Sequence, residues 1–265
     1  MSRKVIIIIG VVAAVLLGLS AGVFYMWQNQ VLPQSAISLF KDVPAPAKTD
    51  IILVFTPHPD DESIAVGGYL ATAVHNGAAV WIALVTDGNH QNQEAERYDE
   101  FKKATAYLGV PEDHLFFLGY PDHELKKQDA NQVRSRFEEI ISTVQPNIII
   151  SSTPLDHHPD HATVGAIVSQ IMQGKNITYY QFLVHHNLFP QPKGMNPELY
   201  LLPPAKMITL NSSWQKFVLS EEMQTQKHKA ILSYKTQLDD KRDPFLPGLL
   251  LSMLRQNELF IVPNK

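Results

Sequence analysis

From Asp50 onward the chain alternates short, unbroken apolar runs with longer stretches of helical spacing, and that alternation narrows the folds open to it. Residues 51–55 (IILVF) are apolar without interruption, the mark of a strand covered on both faces. Residues 62–76 read as a helix closed by Gly77, 79–86 as a second strand, and 94–108 as a helix stopped at Gly109 with Pro111 beyond. A short strand over 114–118, a helix over 131–144 ended before Pro146, and a buried strand over 147–152 (NIIISS) follow. Residues 161–173 then read as a helix closed by Gly174, and 177–184 as one more strand. Strands alternating with helices in this way predict an α/β domain over residues 50–265, with a Rossmann-like, mostly parallel sheet flanked by helices. After Pro190 the pattern weakens. Residues 220–235 keep a helical look, with Ser220 as N-cap and Glu221 and Glu222 in the first turn, where the helix dipole favours acids. The last residues give no reading.

The N-terminus obeys a different rule. Met1-Ser2-Arg3-Lys4 precedes an apolar run over residues 5–27 in which only Ser20 and Tyr25 carry hydroxyls. Roughly 20 apolar residues are needed to cross a hydrocarbon core, so this run is long enough for one transmembrane helix. Tyr25 and Trp27 stand at its end, where amphipathic rings favour the interface. A cleaved signal would have an apolar region of about 7–15 residues and a small residue where Leu19 stands. Arg3 and Lys4 lie before the run, and residues 28–40 carry no charge. The positive-inside rule therefore keeps residues 1–4 cytoplasmic and sends the rest to the extracytoplasmic side. Residues 28–49, with Pro33, Pro44 and Pro46, read as a tether.

Composition limits the chemistry. The chain has no cysteine, which excludes disulfides, thiolate metal sites and a cysteine nucleophile. Its net charge of −4 and the absence of any basic block give no reason to expect nucleic acid. With 11 His and 26 Asp plus Glu, a metal would be held by imidazole and carboxylate. Two segments are rich in such donors. Pro57-His58-Pro59-Asp60-Asp61-Glu62 follows the first strand, and Asp156-His157-His158-Pro159-Asp160-His161 follows NIIISS. Ligands of open parallel sheets bind outside the carboxyl ends of the strands, where both clusters fall. An Asp with two His suits a catalytic zinc that keeps an open position. Of the pair Asp60-Asp61, one carboxylate can ligate metal while the other accepts a proton from water.

Pro-His-Pro-Asp-Asp-Glu near the start of the domain, with His-Pro-Asp-His about a hundred residues later, resembles the PIG-L/LmbE-like family of zinc-dependent N-deacetylases. Thr86-Asp87-Gly88, the spacing Arg97, Glu100, Ala104, Leu108-Gly109, the segment Gly119-Tyr120-Pro121-Asp122 and the stretch 227–237 match in order. The resemblance implies His58, Asp61 and His161 as zinc ligands and Asp60 as general base. His158 would stabilise the oxyanion or protonate the leaving amine, with Asp160 orienting it, and Arg97 and Asp122 would touch substrate. The implied reaction is attack of zinc-bound water on the acetamide carbonyl of an N-acetylglucosamine-type sugar, with iron(II) as the alternative metal. Asn89-His90-Gln91-Asn92 and His123 stand where the family often has glycine, in loops expected to border the substrate.

Blander readings compete at single positions. Asp60 and Asp160 both stand where a helix N-cap would, Arg97 is placed to pair along its helix, and Glu62 suits a helix start. His157 reads as a bystander beside His158, and His185-His186 as a strand-end pair; His75, His90, His114, His123 and His228 read as surface or satisfied. Two other functions fit parts of the pattern. Asp156-His157-His158 spells the motif of DHH phosphoesterases, but no Asn-x-Asp-x-Asp-like segment accompanies it. A non-catalytic, membrane-tethered glycan-binding domain would have no use for an unligated carboxylate at Asp60.

Overall fold

The computed structural model describes residues 3–28, 31–89, 92–187, 189–209, 212–240 and 246–263; within the first helix the side chains of 3–9, 23 and 25–28 lie outside the description, as does that of Ser212. His90 and Gln91 of the predicted substrate-border loop fall outside these residues.

The sheet has eight strands in the order β1-β7-β8-β6-β5-β2-β3-β4. Five of them, β2 (Ile51–Thr56), β3 (Ala79–Thr86), β4 (Leu115–Tyr120), β5 (Ile148–Ser152) and β6 (Thr178–Phe182), run parallel. The order turns back between β2 and β5: the chain proceeds outward from β2 to β3 and β4, then returns to place β5 and β6 on the other side. That reversal opens a crevice at the carboxyl ends of β2 and β5, the usual ligand position in such sheets.

Each strand of the centre buries both faces. Ile52 and Val54 pack into one core with helices α2 (Asp61–His75) and α3 (Glu94–Tyr107), while Leu53 and Phe55 pack into the other with α4 (Ala130–Val144) and α5 (Pro159–Met172). Period-two alternation sends neighbouring side chains to opposite cores, so an unbroken apolar run is what a doubly covered strand needs. Helix α6 (Glu221–Ile231) lies across α2 and α3. Short helices α7 (Lys235–Leu238) and α8 (Leu246–Ser252) follow it.

The sheet is mixed rather than simply parallel. β7 (Ser212–Val218) and β8 (Asn257–Pro263) pair antiparallel, and β8 joins β6 antiparallel. β8 is hidden from pattern reading because it begins with buried polar residues. Asn257 bonds the backbone of Leu201, and the Glu258 carboxylate accepts N–H groups of Gly68 and Tyr69 at 2.7 Å each and Lys227 Nζ at 2.7 Å.

Helix α1 runs from Arg3 to Gln28, and Val11, Val15, Leu16, Leu17 and Phe24 on it are exposed. Among the described residues no helix is long and apolar enough to cross a membrane, so the expected transmembrane helix gains no support from the fold. Much of the stretch expected as a tether is fastened to the domain. Gln34 exchanges two hydrogen bonds with the backbone of Tyr200 (2.7 and 3.1 Å), and β1 (Lys41–Asp42) pairs parallel with β7.

Candidate metal centre and active site

The turn leaving β2 carries the first cluster. Asp60 adopts φ 133° and ψ −31°, a conformation that L residues rarely occupy, and its carbonyl accepts from Ser63 and Ile64 to start α2. Across this kink the adjacent carboxylates take different partners. Asp61 Oδ2 lies 3.2 Å from His58 Nδ1 and 3.0 Å from His161 Nε2, and those two ring nitrogens are 3.1 Å apart. Asp60 Oδ2 instead meets Arg97 Nη2 at 3.2 Å.

The outward nitrogens decide what the inward ones present. His58 Nε2 faces Asp122 Oδ1 at 3.1 Å and Asp160 Oδ2 at 3.2 Å, and His161 Nδ1 faces Asp156 Oδ2 at 3.3 Å. A proton held on the carboxylate side leaves each ring with a lone pair aimed at the same point as Asp61 Oδ2. Three donors converging on one point, all buried, call for a cation. A tetrahedral ion with bonds of about 2.0–2.1 Å separates its ligands by about 3.3–3.4 Å, close to the spacing here. The electrostatics say the same. Burial opposes charge on His161, but Asp61 and Asp156 override it and hold its pKa at about 9. The residues therefore fit a divalent metal held by two imidazoles and a carboxylate.

Asp60 differs from its neighbour. Burial pushes its carboxyl up to about 8 against the pull of Arg97, with Asp61 adding to the rise, whereas His161 and His58 hold Asp61 well below the usual range despite burial. His158 lies on the other side of the site, its ring 4.6 Å from that of His58. Its Nδ1 accepts from the Asp160 backbone N–H at 3.3 Å, which leaves Nε2 as the protonated nitrogen. Burial first, then the charges of His58 and His161, lower its pKa to about 3. The ring is thus a neutral hydrogen-bond donor.

A cavity of about 300 Å³ opens over these groups. Its lining includes His58, Asp60, Asp61 and His158, the polar Gln93, Gln237 and Asp240, and the apolar Ile64, Leu246, Leu249 and Leu250.

Compared with known proteins, residues 53–172 match the PIG-L family, described as GlcNAc-PI de-N-acetylase. The chain carries a PIG-L (LmbE-like) deacetylase domain. It is 28% identical over 185 residues to the "Probable N-acetyl-alpha-D-glucosaminyl L-malate deacetylase 2" of Bacillus anthracis, covering 63% of this chain and 81% of that one. It is 30% identical over 126 residues to the diacetylchitobiose deacetylase of Thermococcus kodakarensis, covering 43% of this chain and 46% of the relative. The fold superposes on the A40926 pseudoaglycone deacetylase Dbv21 with a TM-score of 0.61 at 19% identity, over 81% of this chain and 97% of that one. A PIG-L domain with this donor set makes the chain an amide hydrolase of the metal-dependent N-deacetylase kind.

Every site residue named from the sequence lies in or against this centre, though three have other partners than expected. The Asp160 carboxylate bonds His58 and the backbone N–H groups of His123 and Leu125, not the His158 ring. Arg97 is 6% exposed and spans the β2 turn, donating to the carbonyls of Gly88 (3.1 Å) and Pro59 (2.6 Å) as well as to Asp60. Asp122 reaches His58 as well as lining the cavity. Two residues were undervalued. Asp156, given no role of its own within the second donor-rich segment, is the partner of His161, and it also accepts from the backbone of Val184 and His185. His185 reaches the cavity, its ring 4.8 Å from that of His161. His157 turns to His186, ring centroids 4.4 Å apart, so the middle residue of the phosphoesterase-like triplet contributes nothing to the donor set.

Proposed function

We propose that this domain removes the acetyl group from an N-acetylglucosamine-type sugar or glycoconjugate, with zinc as the metal and iron(II) as the alternative for the same donors. The observation that carries the reading is the division of labour within Asp60-Asp61: one carboxylate faces two imidazoles, and the other, paired with Arg97, stands outside that donor set. A cation held by His58, Asp61 and His161 would polarise the acetamide carbonyl and acidify a water.

The chain's own groups do the rest. Asp60 accepts the proton of the attacking water and hands it to the departing nitrogen, burial favouring its protonated form between the two transfers. His158 Nε2–H donates to the carbonyl oxygen as negative charge develops there. Its neutrality supports that role over protonation of the amine, which this reading assigns to Asp60. Arg97 ties Asp60 to the loops after β2 and β3. Asp160, Asp122 and Asp156 orient the two imidazole ligands. Release of acetate and free amine from N-acetylated amino sugars, with and without added zinc, tests the reaction.

The reading also includes a membrane anchor, with the catalytic domain on the extracytoplasmic side. It is supported by the sequence alone, through the apolar run over residues 5–27 and Arg3 and Lys4 preceding it.

A further inference from the structure

Asp60 holds a backbone conformation that must be enforced. Of the non-glycine residues described with positive φ, Asn92, His123 and Gln145 lie between 53° and 61°, near the left-handed helical basin, whereas Asp60 stands at 133°. Such a conformation persists only where the surroundings over-determine it. Its side chain is held by Arg97 and its carbonyl by α2, as described above. Its N–H donates to Glu62 Oε2 at 3.3 Å.

Glu62 is therefore the clamp on the amide side, and it is itself held from a distance. Its carboxylate is fully buried and accepts from Ser63 Oγ at 2.6 Å and from Tyr234 Oη at 2.5 Å. Tyr234 is also fully buried and lies between α6 and α7, 172 residues further along the chain. A glutamate at a helix start normally faces solvent, where the helix dipole is sufficient reason for it. Here it is turned inward, to the peptide of the neighbouring aspartate.

We propose that Tyr234, acting through Glu62, is a positioning residue that holds the Asp60 peptide in its strained conformation and so aims the proton-accepting carboxylate. This rests on Asp60 being the base of the reaction. Tyr234 touches no reacting atom; removing its hydroxyl deprives Glu62 of the one anchor that it has, among the described residues, from outside the turn, and frees the Asp60 peptide to relax, with the metal ligands left in place.

Crystal structures of the wild-type chain and of Tyr234→Phe test the link without substrate. The expected result is that Asp60 leaves positive φ in the variant and loses its contact with Arg97, while His58, Asp61 and His161 stay. An unmoved Asp60 overturns the proposal. With N,N'-diacetylchitobiose and N-acetylglucosamine as probes, Tyr234→Phe should lower kcat on the order of ten- to a hundredfold, the scale of one lost hydrogen bond to a charged group, with KM and bound metal unchanged. In an Asp60→Asn background it should cost nothing more, because the group it positions has already gone. Losses that multiply, or loss of metal, would mean that Tyr234 acts on the fold or the metal site, and the proposal fails. If Tyr234→Phe does not fold, Glu62→Gln, which keeps the shape, should show the same kcat loss and the same absence of effect in Asp60→Asn. Full turnover by Asp60→Asn alone would overturn the base assignment itself, a failure visible in that single variant.

Discussion

Replacing Asp60 by Asn removes a proton acceptor and leaves His58, Asp61 and His161 as they are. The expected outcome is full metal content with turnover lowered by about 10²–10⁴, the usual worth of general acid–base catalysis, measured by elemental analysis beside acetate release. His161→Ala should do the reverse and empty the site; a metal-replete His161→Ala would mean that the ligand set is wrong. His158→Ala should keep metal and lose about 10²–10³ in kcat, as removal of an oxyanion donor does. Residue types and their order made the two donor-rich strand-end turns legible, and the resemblance to the PIG-L/LmbE-like family singled out these positions within them. Their partners were not legible. Whether the Asp160 carboxylate reaches His158 or His58 depends on how α5 enters the crevice, and residue order alone gives Asp156 no role of its own. Nor does sequence announce a strained φ at a non-glycine residue.

The elements carrying the donors are held by close packing and by buried charge. A Cβ on Gly165 of α5 would stand 2.5 Å from Pro154 N and from Ser152 O, backbone atoms that cannot yield as a side chain does. Gly165→Ala should therefore push α5 away from the end of β5, costing on the order of 1–3 kcal/mol in denaturant unfolding. It should weaken metal binding too, since α5 delivers His161. Glu258→Ala should cost more, about 3–5 kcal/mol, because it strands the buried Lys227 and leaves two N–H groups of α2 without their acceptor. The parallel strands and their helices could be read to within a few residues, since doubly covered strands are unbroken apolar runs. β8 could not, because its first two residues are buried polar groups whose partners lie far away in sequence. β7, which pairs along β8, disappeared with it.

At the scale of the molecule, the N-terminal segment and the domain separate between Gln28 and Gln34. A chain beginning at Val31 keeps the Gln34–Tyr200 bonds and β1, and it should be water-soluble and active, whereas the full chain should pellet with membranes. A full chain that stays in the supernatant would contradict the anchor. The apolar run sets that segment apart in the sequence as an expected anchor, but does not announce that the stretch after it pairs with the edge of the sheet. The chemistry is tested most directly by amine and acetate release from a panel of N-acetylated amino sugars, with wild type and Asp60→Asn compared as metal is titrated in. Release that rises to a plateau at one metal per chain, and a variant that binds the same metal while turning over at least a hundredfold more slowly, is the predicted result. Release indifferent to metal, or a fully loaded wild type that liberates no amine from any sugar, would contradict metal-dependent deacetylation through Asp60.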